Sequence, residues 1–449
     1  MYFKLGLMNF DESVRYLLGL GHETVAIKLG LENIGRLLER LGRPQDSFNS
    51  VQIAGTNGKG STASMLNAMA RAAGVRAGLY TSPHLVSLTE RVCVGGAEIS
   101  PGDFAREASA VRAACEAIES ETGALPTFFE QLTAIALSAF RAAGVELAIL
   151  ETGLGGRLDA TTAARASFVA VTPVALDHQE YLGATLAEIA SEKAAVIREG
   201  VRAAVLAPQE AEAEEVLLRR CRECGVEPRR AGGDLEVVGA NDEGQLLVSL
   251  RTARADYGTL RLALRGRHQV VNASVAVALA EALAAEGFNF EPSSIVAGLE
   301  TAEHAGRLEL DASRVPPLLF DGAHNPAGAR ALRRYLDEFV APPVTLVFGA
   351  MRDKALKEIG AALFPAAARL VLTSPVHPRA ASVEELLLAV PVPASSSTIS
   401  LAPSSADALR VALAQTPPGG TICVTGSLYL VGEVKGLLSN ANAREPERA

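Results

Sequence analysis

The chain has 449 residues, of which 49% are hydrophobic and 21% are charged, a composition typical of a folded globular protein rather than a disordered one. Its net charge of −9 provides no basic surface for nucleic acid, and no stretch is apolar and continuous enough to predict a membrane-spanning helix. We therefore expect neither a nucleic-acid partner nor a membrane partner.

The N-terminal segment and the cysteines bear on the compartment. Residues 1–20 include Asp11 and Glu12 and lack a small-residue cleavage site after an apolar core, so they do not predict a signal peptide. Cys221 and Cys224 form a CxxC pair with no second pair after it, which disfavours a metal or redox site. The five cysteines are odd in number and scattered, which disfavours a disulfide framework: Cys93, Cys115, Cys221, Cys224 and Cys423. These features predict a cytoplasmic protein.

The first part of the chain alternates between short apolar runs and alanine-rich helical patterns such as 62–73. The apolar runs, each ending at a glycine or a polar turn, are 51–54, 147–150, 168–172 and 203–206. This alternation predicts a mostly parallel sheet covered by helices, so the expected fold class is α/β. Period-two stretches such as 245–251 indicate a small antiparallel excursion before a helix at 272–285.

A second set of βα units follows a polar stretch near residues 300–306. Its predicted strands are 318–320, 344–348, 370–372 and 421–424. We expect a P-loop domain with a mostly parallel sheet over 1–303, and a smaller Rossmann-like α/β domain over 304–449.

A glycine-rich loop directly follows the predicted strand 51–54 and directly precedes a predicted helix. Glycines allow backbone N–H groups to curl around phosphate oxygens, and Lys59 supplies a charge for the terminal phosphates. The loop departs from the standard P-loop, because Gly60 separates Lys59 from its hydroxyl residue, and a structural turn is the alternative. We predict that ATP binds to the loop residues Gly55, Thr56, Asn57, Gly58, Lys59, Gly60 and Ser61.

The loop, together with Thr81-Ser82-Pro83-His84-Leu85, resembles the folylpolyglutamate synthase/dihydrofolate synthase family, a branch of the Mur-type ligases. Further family motifs follow in order, at 151–161, 177–178, 192–194, 306–307, 321–326 and 426–433. Gly60 favours the folate branch, because peptidoglycan ligases usually have Thr or Ser directly after the P-loop lysine. Gln131, Thr162 and Ala195 depart from the usual family residues, which bears on substrate preference.

The resemblance implies a magnesium site. Ser82 and Glu151 would hold one Mg²⁺ and His178 a second. Glu151 ends an apolar strand, where a parallel sheet presents ligands, and hard oxygen ligands suit Mg²⁺. Without the resemblance, His178 would be read as structural. The family also implies that Lys193 is carbamylated to support the metal site. From the sequence alone, a Glu192–Lys193 pair on a helix is usually a solvated, salt-bridging face.

From the second domain, Arg307 and Asp321 match the family's ATP contacts, and Asn272 would approach the nucleotide from the first domain. His324 and Ser427 match positions near the reaction centre or the glutamate site. For the local geometry, an ordinary strand-end turn at 321–322 and a helix cap before Pro326 are alternatives.

The resemblance places the pterin-bearing substrate at two segments. The two aromatic side chains could contact a flat ring and the glutamate could accept hydrogen bonds from its edge, with core packing as the alternative for the aromatics. The residues are Thr127, Phe128, Phe129 and Glu130 in the first segment, and Leu158, Asp159 and Ala160 in the second.

The implied activity is ATP-dependent amide formation through an acyl phosphate, between L-glutamate and either dihydropteroate or a reduced folate, with Lys59, Lys193, His178 and His324 as catalytic residues. We expect a bifunctional, monomeric enzyme, with a monovalent cation as a further candidate cofactor. Two alternatives stay open: a Mur-type ligase acting on another acid and amino acid, and a regulatory ATPase that joins nothing.

Overall fold

The computed structural model describes residues 7–21, 30–389 and 398–444. The chain divides into two compact units. The first comprises Met1–Leu235, Leu250–Gly258 and Val271–Ala302, and the second comprises Glu236–Ser249, Thr259–Val270 and Glu303–Ala449. Two short segments within the predicted domain 1–303 thus group with the second unit, and the domain division after residue 303 stays a prediction.

The first unit is built on an eight-stranded sheet. Its strands are β1 Asn49–Ala54, β2 Ala77–Tyr80, β3 Val92–Val94, β4 Ala97–Glu98, β5 Leu147–Glu151, β6 Phe168–Val171, β7 Ala203–Leu206 and β8 Pro228–Arg230. The strand order is β4-β3-β2-β5-β1-β6-β7-β8, and only the β2–β3 and β3–β4 pairs are antiparallel. β1 is therefore central, and its carboxyl end lies between those of β5 and β6.

Helices flank this sheet: α1 Phe10–Gly19, α2 Glu32–Arg40, α3 Lys59–Ala72, α4 Pro101–Thr122, α5 Phe128–Ala142, α6 Gln179–Leu182, α7 Leu186–Ala194, α8 Ala211–Glu223, α9 His268–Ala285 and α10 Pro292–Thr301. Short 3₁₀ turns lie at Pro44–Ser47, Leu88–Arg91 and Ala160–Ala164. α9 is long and apolar enough to cross a membrane, but 61% of it is buried within the protein, as in a core helix. α3 and α10 pack closely, since a Cβ at Gly298 would overlap the backbone of Met69.

A three-stranded sheet in the order β11-β10-β9 consists of β9 Leu235–Ala240, β10 Leu246–Arg251 and β11 Asp256–Arg261. Burial alternates along β10, as the period-two sequence predicts.

The second unit contains a six-stranded sheet in the order β12-β13-β17-β14-β15-β16, with β12 antiparallel and the others parallel. Its strands are β12 Glu309–Asp311, β13 Leu318–Phe320, β14 Val344–Phe348, β15 Arg369–Thr373, β16 Thr398–Ala402 and β17 Thr421–Thr425. Its helices are α11 Pro326–Phe339, α12 Leu356–Leu363, α13 Val383–Leu388, α14 Ser405–Gln415 and α15 Leu428–Arg444, with a 3₁₀ turn at Phe364–Ala366. The predicted α/β class is confirmed.

Candidate active site

The glycine-rich loop joins the carboxyl end of β1 to the N-terminus of α3, as predicted. Gly55 and Gly58 have φ values of 141° and 88°, which side chains rarely adopt. The N–H groups of Thr56 and Asn57 donate to the carbonyl of Pro173 over 3.0 and 3.2 Å. These bonds fix the loop against the segment that follows β6.

Asn272 on α9 packs against the same loop. A Cβ at Gly58 would overlap the Asn272 side-chain amide, and Thr62 Oγ1 donates to the Asn272 carbonyl over 3.4 Å. The structure therefore brings Asn272 to the predicted nucleotide loop within the first unit.

Two lysines direct their amines at the loop. Lys59 Nζ donates to the carbonyls of Gly55 and Thr56, each over 3.3 Å. Lys193 Nζ, which comes from α7, donates to the Gly55 carbonyl over 2.8 Å. Both amines thus converge on the first residues of the loop.

Lys193 is 4% exposed, so the alternative of a solvated Glu192–Lys193 pair is wrong. Burial lowers the pKa of Lys193 from 10.5 to about 7; the charge of Lys59 adds to this effect, while Asp177 and other acidic groups oppose it. Glu192 pairs instead with Arg157, with 2.9 Å between Oε1 and Nε. At neutral pH a large fraction of the Lys193 amine is therefore uncharged.

Ser82 and Glu151, the predicted metal pair, are adjacent. The Ser82 N–H donates to Glu151 Oε2 over 3.2 Å, because Ser82 follows β2 and Glu151 ends the neighbouring β5. Glu151 is 5% exposed and lies opposite Ile53 of β1. A buried carboxylate beside a hydroxyl residue fits the oxygen ligands that Mg²⁺ prefers.

His178 lies after β6, on the other side of β1 in the strand order, and has a left-handed backbone with φ of 51°. Its N–H donates to Asp177 Oδ1 over 2.9 Å. In the described part of the chain, no three or more His, Cys, Asp or Glu side chains cluster as a metal site. Ser82 with Glu151 as one metal site, and His178 as a second, therefore stay predictions.

The second predicted substrate segment belongs to the loop between β5 and β6. Asp159 is 5% exposed and accepts hydrogen bonds from the N–H groups of Leu154 and Thr161 over 2.9 and 3.0 Å. Burial raises the pKa of its carboxyl group, while these hydrogen bonds lower it. Leu158 is half-buried and Ala160 is buried. The Asp159 carboxylate therefore fixes the shape of the loop.

The first predicted substrate segment begins α5. Thr127 and Glu130 form a capping box, in which Glu130 Oε2 accepts the Thr127 N–H over 2.7 Å. Glu130 Oε1 accepts the Ile34 N–H over 3.1 Å, so both carboxylate oxygens already bind backbone. Phe128 is 2% exposed and belongs to the core, as the packing alternative proposed. Phe129 is half-buried, and its ring centroid lies 6.0 Å from that of Tyr80.

In the second unit, Arg307 occupies a tight turn before β12. Leu308, next to it, has φ of 47°, and its N–H donates to Asp321 Oδ2 over 3.0 Å. Asp321 Oδ1 accepts the Ala323 N–H over 3.0 Å. Burial raises the pKa of Asp321, and the charge of Arg307 opposes that shift. Asp321 therefore organises both the strand-end turn and the turn that carries Arg307.

His324 and Ser427 lie at helix starts in the second unit. His324 Nδ1 lies 2.8 Å from the Gly322 carbonyl, so Nδ1 donates, which leaves Nε2 as the acceptor in the neutral ring. Asn325 Oδ1 accepts the Gly328 N–H over 2.8 Å, which confirms the predicted helix cap. Ser427 is 2% exposed, and its Oγ accepts the Leu430 N–H over 3.1 Å at the start of α15.

Two histidines for which the sequence predicted no role, His268 and His304, lie near Arg307. Burial, together with the charges of Arg307 and Arg334, lowers the pKa of His268 to about 4. Burial and the charge of Arg307 lower the pKa of His304 to about 3. Both rings are therefore neutral at pH 7. The available signal was proximity in sequence: His304 is close to Arg307, and His268 lies in the same motif as Asn272.

Two domain families match the chain. The Mur ligase middle domain matches residues 53–280, and the glutamate ligase domain of Mur ligases matches residues 306–428. A probable bifunctional folylpolyglutamate synthase/dihydropteroate synthase of Haloferax volcanii is 36% identical over 95% of this chain and 50% of its own length. The chain thus spans about half the length of this relative. The dihydrofolate synthase/folylpolyglutamate synthase of Mycobacterium tuberculosis is 33% identical over 97% of this chain and 94% of its own length.

Two solved structures of similar enzymes also match the chain over nearly its whole length. Mycobacterium tuberculosis folylpolyglutamate synthase complexed with ADP has a TM-score of 0.87 at 33% identity and covers 97% of this chain and 100% of that chain. Escherichia coli FolC in complex with DHPP and ADP has a TM-score of 0.83 at 30% identity and covers 97% of this chain and 99% of that chain.

The fold and the two matched domain families together define a Mur-type ligase. Relatives that match over nearly their whole length narrow this class to the folate enzymes. The chain belongs to the folylpolyglutamate synthase/dihydrofolate synthase family.

Proposed function

We propose that the protein is an ATP-dependent ligase that activates the carboxylate of a folate-type acid as an acyl phosphate and joins it to the amine of L-glutamate. The observation that carries this proposal is the convergence of Lys59 and Lys193 on the Gly55 carbonyl, at the sheet edge where Ser82 meets Glu151. This arrangement suits the transfer of a phosphoryl group, because both amines bind the loop at the carboxyl end of β1 and Glu151 ends the neighbouring strand β5.

In the first step, a carboxylate oxygen of the acid attacks the γ-phosphorus of ATP, which gives ADP and an acyl phosphate. In the second step, the glutamate amine attacks the activated carbonyl carbon, loses a proton and displaces inorganic phosphate. Lys59 stabilises the charge on the phosphoryl oxygens. When bound, Mg²⁺ at Ser82 and Glu151 neutralises charge on the polyphosphate.

Further cofactor roles follow from the family. His178 would hold a second Mg²⁺, and Lys193 would be carbamylated. The uncharged Lys193 amine supports carbamylation, since only a neutral amine attacks CO₂ and its pKa lies near 7. A monovalent cation remains a candidate without assigned residues.

Both dihydropteroate and reduced folates are proposed as acceptors. The Mycobacterium tuberculosis relative carries the names of both activities, dihydrofolate synthase and folylpolyglutamate synthase, which supports this pair. Thr127, Phe129 and the loop 158–160 are the proposed contacts for the acid. We propose that Arg307 and Asp321 contact the nucleotide, and that His324 and Ser427 lie near the reaction centre or the bound glutamate. The proposed enzyme is a cytoplasmic monomer.

The proposal is tested by product mass spectrometry with Mg-ATP, L-glutamate and either dihydropteroate or tetrahydrofolate. We expect both acceptors to gain one glutamate residue, with ADP release that depends on glutamate. A Lys59→Met variant should lose the conjugate, and a Lys357→Arg variant on the exposed face of α12 should retain it. Glutamate-independent ADP release without a conjugate would support a regulatory ATPase instead, and a conjugate with only another acid or amino acid would support a different Mur-type ligase.

A further inference from the structure

A buried amide in the central strand connects the nucleotide loop to the loop between β5 and β6. Gln52 lies in β1, which leads into Gly55, and is 2% exposed. Its Nε2 donates to Thr161 Oγ1 over 2.9 Å and to Thr162 Oγ1 over 2.7 Å. One side chain therefore lies beneath the segment proposed to bind the folate-type acid.

The direction of these hydrogen bonds is fixed by the number of protons. Thr161 Oγ1 donates to Asp159 Oδ1, and Thr162 Oγ1 donates to the Gly156 carbonyl over 2.7 Å. Because each hydroxyl has a single proton and directs it away from Gln52, each hydroxyl can only accept from the amide. The two N–H groups of Gln52 are therefore matched to two acceptors, and neither a carboxylate nor an apolar side chain could replace them.

The hydrogen bonds continue from the amide to the loop backbone. Thr161 donates to Asp159, and the other oxygen of Asp159 accepts the N–H of Leu154. Thr162 fixes the Gly156 carbonyl on the same loop. Asp159 is 5% exposed, so its carboxylate depends on donors within the protein. Without the Gln52 amide, the Thr161 hydroxyl that donates to Asp159 would no longer be held in place, and the loop could rearrange.

We propose that Gln52 is a positioning residue for the folate-type acid. It acts through Thr161 and Thr162 by holding the loop 154–162 in the shape that presents the half-buried Leu158. The identity of the substrate in this inference rests on the proposed function, whereas the positioning of the loop does not.

Three variants separate positioning from general stability. Gln52→Met keeps the length of the side chain and removes both donors. Thr162→Val keeps the shape and removes one hydroxyl, and Thr162→Ser restores that hydroxyl. We expect Gln52→Met to raise KM for dihydropteroate about tenfold and Thr162→Val to raise it severalfold, with kcat and KM for ATP within about twofold of the wild type. Thr162→Ser should behave like the wild type.

Amide hydrogen exchange in the ligand-free protein provides a measurement that needs no activity. We expect faster exchange at Leu154 and Thr161 in Gln52→Met and Thr162→Val than in the wild type and Thr162→Ser. Any of three results would overturn the inference. KM could rise equally for dihydropteroate and ATP, Thr162→Ser could fail to restore KM, or exchange in the loop could be unchanged. If Gln52→Met does not fold, the two Thr162 variants decide it. A wild type that forms no conjugate would contradict the proposed function, and loop exchange would still decide whether Gln52 positions the loop.

Discussion

Lys193 Nζ donates a 2.8 Å hydrogen bond to the carbonyl of Gly55, the first residue of the glycine-rich loop. Lys193 comes from α7 and Gly55 from the end of β1, far apart in sequence. The bond places an amine whose pKa is lowered to about 7 beside the proposed nucleotide. Lys193 can therefore act as a nucleophile at physiological pH, unlike a surface lysine, because much of its amine is neutral.

We predict that Lys193 forms a carbamate in bicarbonate buffer near pH 8. A neutral amine reacts with CO₂, and ¹³C NMR with labelled bicarbonate should show one carbamate signal that is absent from Lys193→Met. The Lys357→Arg variant, altered at an exposed lysine, should keep the signal. Persistence of the signal in Lys193→Met would contradict the assignment.

The same burial predicts a pH-dependent stability. Because the pKa of Lys193 is 10.5 when unfolded and about 7 when folded, the unfolded chain binds the extra proton between these values. The free energy of unfolding of the wild type should therefore rise with pH across this window. In CO₂-free buffer, Lys193→Met should be more stable than the wild type by a few kcal/mol near pH 7, and this advantage should vanish near pH 10.5. Urea unfolding across the range measures it; a pH-independent difference would refute the explanation.

Gly58→Ala should weaken nucleotide binding more than it weakens the fold. A Cβ at Gly58, where φ is 88°, would overlap the Asn272 side chain. Gly74→Ala is the matched control, since Gly74 has φ of 72° with nothing within 4 Å of a Cβ. Both should lose about 1–2 kcal/mol of stability from backbone strain. In titration calorimetry only Gly58→Ala should lose ADP affinity, by about tenfold or more; equal loss in both variants would show that strain alone is responsible.

The metal assignment is tested by Mg²⁺ titrations of product formation. Ser82→Ala keeps the N–H that donates to Glu151 and removes only the hydroxyl, whereas Glu151→Gln removes the charge. We expect both variants to need more Mg²⁺, with the larger increase, about tenfold or more, in Glu151→Gln. Glu180→Gln, on the exposed surface of α6, should leave the requirement unchanged. An unchanged requirement in Glu151→Gln would remove Glu151 from the metal site.

Local patterns predicted the centre of each sheet well. The buried runs that became β1, β5, β6 and β7 are continuous and apolar, and β1 is followed by the glycine-rich turn that a helix start requires. β16 was missed: it is an edge strand in which Ile399 and Leu401 alternate with polar residues and are exposed, so it has no continuous apolar run. β8 was missed for a similar reason, since it is an edge strand of charged residues. Edge strands lack the two-sided burial that produces a clear signal.

Some residues of the candidate site could also be predicted from the sequence, and others could not. The positions of Gly55 and Glu151 could be predicted because each lies at the end of a recognisable strand, and that of Lys59 because it begins the helix after the glycine-rich loop. The burial of Lys193 could not be predicted, since a Glu192–Lys193 pair on a helix is usually a solvated ion pair and only tertiary packing removes water from it. Gln52 gave no sequence signal, because its partners Thr161 and Thr162 are distant in the chain.

The proposed mechanism requires that the acid is activated as an acyl phosphate. We would label the carboxylate of dihydropteroate with ¹⁸O and follow the label during turnover with Mg-ATP and L-glutamate. The proposed mechanism predicts that each amide bond formed transfers one carboxylate oxygen to the released inorganic phosphate, which mass spectrometry detects. Conjugate formation with unlabelled phosphate would contradict the mechanism, because the carboxylate would then have been activated without attacking the γ-phosphorus of ATP.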